Sequence, residues 1–222
     1  NVFLDPKKMM EDCFYEEPPK GMGIGIAGSM LFSLLYTILT IINPIVKEAE
    51  YDKLRMEGIA ENLIGQSYIY SKLPLIIGTV IGVFLGALIT AVILKIATLI
   101  AKDKAKFSVL YTVGLLSSMV SAAMLFIDRI VGYIIPTQNI VLGATAFFPE
   151  GLTVSNAVPY TIASEFTIPG IWAIIITIIG YAVATNTSIK KSTIIVLIIQ
   201  AIGLLIGVIS AASLALLTSG VM

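Results

Sequence analysis

No histidine occurs anywhere in this 222-residue sequence, and there is a single cysteine, Cys13. The first absence removes histidine zinc sites, histidine haem ligation and nucleophile triads built on an imidazole. The second excludes an internal disulfide and any cysteine cluster for zinc or iron and sulfur. Charge is scarce too: Asp, Glu, Lys and Arg make up 13% of the chain, where a soluble domain carries about 25%. Fourteen basic residues balance fourteen acidic ones, so charge points to neither nucleic acid nor an acidic substrate. The phosphate-binding GxxxxGK[ST], the HExxH and the GxSxG patterns are all missing. Gly21, Gly23, Gly25 and Gly28 cluster at the edge of an apolar run rather than after a strand, which argues against nucleotide binding. No catalytic residue, metal or cofactor is expected.

What remains is apolar. Hydrophobic residues make up 57% of the chain and the mean hydropathy is +0.97, the composition of a protein embedded in a lipid bilayer. A helix needs about 20 apolar residues to cross the hydrocarbon layer while satisfying its own backbone groups. Counting such runs predicts an all-α polytopic membrane protein with five transmembrane helices and short amphipathic interfacial helices. The spans fall at about 21–46, 73–100, 107–135, 169–187 and 192–217, giving a membrane domain over 21–222. Residues 1–20 form an amphipathic N-terminal segment, expected on the cytoplasmic side, and their short, charge-interrupted apolar stretches do not resemble a secretory signal. A further extramembrane helix is expected over 47–72, and 130–149 reads as interfacial, re-entrant or a sixth span.

Residues 73–94 pass without a charge, and Gly78, Gly82 and Gly86 recur four apart within them. Small residues at that spacing share one face of a helix and let another helix approach closely. The last span repeats the pattern at Gly203, Gly207 and Ala211. These six are the expected packing residues, and the second span is the expected closely packed centre of the bundle.

With the N-terminus inside, nine lysines lie on the cytoplasmic side and five basic residues outside, which favours a multi-pass cell-membrane protein with its C-terminus outside. Labelling cysteines placed in 47–72 and at the C-terminus from each side of the membrane tests that orientation.

Polar groups near membrane depth are the candidate site residues, because their desolvation demands partners. They are Asn43, Lys95, Asp128, Arg129, Gln138, Asn139 and Gln200. Each also has a structural reading: Asn43-Pro44 ends or kinks the first helix, Lys95 snorkels to the headgroups, Asp128 and Arg129 anchor the third helix, and Gln200 bonds a neighbouring helix. Ser29, Ser33, Thr37 and Thr40 line one stripe of the first span. No ring of acidic residues lines any span, so a cation route has little direct support.

The segment PKKMMEDCFYEEPPKG before the first span, and the Trp172-bearing IWAIIITIIGYAVATNTSIKKSTIIVLII with Lys190 and Lys191 in its turn, resemble the Yip1 domain family. The resemblance covers nearly the whole chain. It implies a five-span membrane protein without catalysis and, in eukaryotic relatives, vesicle trafficking through small GTPases. The Asp-Leu-Tyr-Gly-Pro type segment of those relatives is absent here, so the similarity points to a prokaryotic-type member and argues against a small GTPase partner. The expected role is a non-enzymatic module that organises membranes or binds membrane proteins, its own copies included. The alternatives are a small-solute or ion transporter or channel, and a lipid-acting enzyme with an acidic pair near 48–61 or 150–165.

Overall fold

Apolar runs of this length must close their own hydrogen bonds in lipid, and in the computed structural model they do so as helices. The structure describes residues 4–14, 19–134, 143–147 and 156–219. Along these run α1 (Pro6–Phe14), α2 (Lys20–Ile42), α3 (Pro44–Met56), α4 (Glu61–Ile100), α5 (Phe107–Ile134), α6 (Ala157–Glu165), α7 (Ile168–Thr185) and α8 (Ile189–Ser219). Five of them, α2, α4, α5, α7 and α8, are long and apolar enough to cross a membrane. The fold is all-α and polytopic.

Local chemistry sets the boundaries. The Asn43 side chain is 1% exposed, and its Oδ1 accepts from the Ile45 and Val46 amides at 3.0 and 3.2 Å. With Pro44 at the first helical position, this ends α2 and starts α3 in two residues. Thr167 caps α7 in the same way, accepting from the Gly170 amide at 3.2 Å. The extramembrane part of 47–72 comprises α3 and the first turns of α4, which continues through Pro74 without a break. At 40 residues, α4 is about 60 Å long, twice the hydrocarbon thickness. Arg55 clips α3 to its start by reaching Glu61, Asp52 and Glu48. Bonding to Glu61 first, then to Asp52 and Glu48, raises the Arg55 guanidinium above its ordinary range.

The centre of the bundle is α5, with α2, α4 and α7 packed around it. Of its most apolar window 56% is buried, against 17% for α2 and for α4 and 6% for α8. This corrects the expectation that the second span is central. In lipid there is little hydrophobic drive between helices, so close backbone approach and interhelical hydrogen bonds decide which face turns inward. α2 meets α5 with Gly21, Gly25 and Gly28, which lie against Thr112, Leu115 and Met119. One turn on, the Ser29 hydroxyl donates to the Leu115 carbonyl at 3.0 Å. Gly114 of α5 accepts the backbone of Ala87, and Gly180 of α7 accepts the Val113 side chain.

α4 turns a different stripe inward: Val83, Ala87, Ala91, Leu94 and Thr98 are buried. Gly78, Gly82 and Gly86 lie one residue around the helix, exposed, and a Cβ placed on any of them would meet nothing within 4 Å. The expected contact of this stripe with another span of the chain is therefore not made. Gly203 is likewise open, while a Cβ placed on Gly207 would make ordinary contact with the Thr161 methyl of α6 at 3.4 Å and Ala211 is half-buried.

Candidate functional site

A serine or threonine at membrane depth first satisfies itself on its own helix, and a hydroxyl that does not must find a neighbour. α5 places Ser117, Ser118 and Ser121 within two turns, facing a groove of about 420 Å³ against α2, α4 and the start of α7. Ser33 and Tyr36 of α2 and Thr79 and Gly82 of α4 also line it, with apolar residues between them. Thr37 and Thr79 join hydroxyl to hydroxyl at 3.1 Å across α2 and α4. Among the described residues, Ser33, Ser118 and Ser121 make no hydrogen bond through their side chains.

Beyond Ser117 lies a second cavity of about 240 Å³, between α4, α5, α7 and α8, lined by Thr90, Thr177, Gln200 and Gly203. Ser117 and Ala173 belong to both walls. There the Ser117 and Thr177 hydroxyls lie 3.1 and 2.8 Å from the Ala173 carbonyl and 3.2 Å from each other. Gln200 is about 16 Å along α8 from its start, close to mid-membrane. Its carboxamide has no hydrogen bond among the described residues. A seam of neutral hydrogen-bonding groups thus crosses the flank of the bundle, able to hold a polar partner by hydrogen bonds.

Of the expected polar residues that lie among the described ones, Gln200 alone lines this seam. Asn43 is consumed as a helix cap. Lys95 donates to the Ala105 carbonyl at 2.8 Å and borders a cavity of about 750 Å³ at the lysine end of the bundle, with Glu11, Asp103, Lys104 and Lys106. Asp128 is 3% exposed and engaged. Arg129 stacks over Tyr36 at 5.2 Å and donates from Nη2 to the Tyr36 hydroxyl at 3.2 Å, which brings it to the edge of the first groove. Gln138 and Asn139 lie outside the described residues. Ser117, Ser118 and Ser121 went unmarked in the sequence, although three serines within five residues of a span are themselves a signal.

The model of the Yip1 domain family matches residues 1–212 of the chain. No curated protein and no solved structure matches it.

Proposed function

The chain belongs to the Yip1 domain family, and from that premise we propose that it is a non-enzymatic, membrane-organising module that associates laterally in the bilayer with its own copies or with another membrane protein. One observation carries the reading. The open face of Gly78, Gly82 and Gly86 runs into the hydroxyl groove through Gly82, and among the described residues that groove holds three serine hydroxyls, those of Ser33, Ser118 and Ser121, without hydrogen bonds. Lipid tails offer such a surface neither close packing nor hydrogen bonds, whereas a second helix offers both. The lack of an Asp-Leu-Tyr-Gly-Pro type segment in residues 1–222 favours a prokaryotic-type member. The same absence argues against a small GTPase partner, and the lysine count favours a cytoplasmic N-terminus.

Gly82→Leu fills the groove mouth. It leaves the melting temperature of the detergent-solubilised monomer unchanged and lowers the association constant, read by energy transfer between labelled copies or to a cross-linked partner, about tenfold or more. Association at wild-type strength would remove this face from the interface.

The second cavity favours a second reading, a solute path through the hydroxyl seam past Gln200. Proteoliposomes distinguish the two: flux of an ion or small metabolite that is lost in Gln200→Leu, with the fold retained, supports the path. Absence of flux across a panel of solutes, together with the Gly82→Leu effect, supports association.

A further inference from the structure

At the lysine end α4 and α8 do not pack tightly on one another, and an apolar cleft of about 260 Å³ separates them. Isoleucine and alanine make its entire lining, with Ile93, Ile96 and Ile100 on one wall and Ile195, Ile198 and Ile202 on the other. From Ile93 to Ile100 the wall rises about 10 Å, most of the depth of one leaflet, which is about 15 Å.

The outer end of the cleft is Ala101. The Lys191 ammonium sits 3.4 Å from the Ala101 carbonyl, so the first turn of α8 closes on the end of α4 at this point. The two segments that meet, 101–106 and 189–191, hold five lysines against one acid, Asp103. Lys191 is committed to Asp103. Lys104 and Lys106 border the cavity on the α1 side, where Glu11 also lies. Lys102 and Lys190 remain, both exposed and neither ion-paired among the described residues.

Lys102 is also held in the left-handed region at φ 55°. The Asp103 amide reaches back to the Thr98 carbonyl at 2.8 Å, the helix-ending motif in which glycine is the favoured residue. A lysine there retains a cationic side chain against the backbone preference.

We propose that this cleft is a specific lipid site: one acyl chain of an anionic glycerophospholipid lies between α4 and α8, and its phosphate is held by Lys102 and Lys190. The apolar wall fits the chain and the unpaired lysines fit a net negative headgroup, whereas a zwitterionic lipid brings its own cation to the same place. The proposal is independent of the hydroxyl groove.

The test uses the purified full chain in neutral detergent, with melting temperature and retained lipid by native mass spectrometry as readouts. Phosphatidylglycerol raises the melting temperature and stays bound, while phosphatidylcholine and inorganic phosphate do neither. In the Lys102→Gly, Lys190→Gln variant the melting temperature without lipid equals or exceeds that of the parent, because glycine suits the left-handed position. Its phosphatidylglycerol affinity falls about tenfold or more. Ile198→Trp, which fills the cleft and keeps both lysines, also loses retention. Equal responses to phosphatidylcholine, a response to phosphate alone, or full retention in either variant would overturn the proposal.

Discussion

Replacing Gly25 by leucine destabilises the membrane domain by about 2–4 kcal/mol, whereas leucine at Gly23, two residues away, changes stability by less than about 0.5 kcal/mol. A Cβ on Gly25 would stand 2.7 Å from the Leu115 Cβ and 3.2 Å from the Leu115 carbonyl carbon, while one on Gly23 would meet nothing within 4 Å. The Leu115 backbone belongs to the central helix and cannot move aside as the end of a long side chain can. α2 must therefore retreat, and the Ser29 hydroxyl, now 3.0 Å from the Leu115 carbonyl, loses its acceptor at a depth where water does not replace it. Interhelical hydrogen bonds of this kind add about 0.6 kcal/mol to the overpacking term. Thermal melts in one detergent, or unfolding in mixed micelles, compare the two variants directly. Equal melting of the two would mean that α2 and α5 do not approach as described.

The five spans and the all-α class were legible from composition, because a run of about 20 apolar residues has one stable solution in lipid. Which face of each span turns inward was not legible. A soluble helix marks its core face by polarity, but a span is apolar all round, so both of its faces look alike to a hydrophobicity pattern. Small-residue spacing marks a flat face without saying what lies against it. Gly78, Gly82 and Gly86 carry the most regular stripe in the sequence and face outward, whereas the less regular Gly21, Gly25 and Gly28 make the closest contact. The central position of α5 follows from long-range contacts with three other helices that no local pattern encodes.

The site was legible in part. Gln200 stands out because an amide is rare at that depth. The serines beside it do not, since a hydroxyl in a span usually bonds its own helix, as those of Thr90 and Thr193 do here. Asn43 and Lys95 were conspicuous for the same reason as Gln200, yet a helix cap and a backbone carbonyl absorb them. Asp103 drew no notice as one loop acid among lysines. In the structure its side chain is 8% exposed and ties three helices together.

That tie yields the second large effect: Lys191→Met destabilises the lysine end by about 1–3 kcal/mol. The Asp103 carboxylate, three residues past the end of α4, accepts from the Lys191 ammonium of α8 and lies 3.3 Å from the Tyr181 hydroxyl of α7. Lys191 is 42% exposed, so solvent screens much of its direct attraction. The loss comes instead from the desolvated carboxylate, which keeps one neutral donor after the ammonium is gone. The Ala101 carbonyl loses a donor in the same step. Adding Asp103→Asn to Lys191→Met removes the uncompensated charge while an amide oxygen still faces Tyr181, so the double variant melts above the Lys191→Met variant. A double-mutant cycle with a coupling of about 1 kcal/mol or more assigns the effect to the pair. Strict additivity would assign it to the Lys191 aliphatic stem packed at the first turn of α8, and the three-helix tie would not exist.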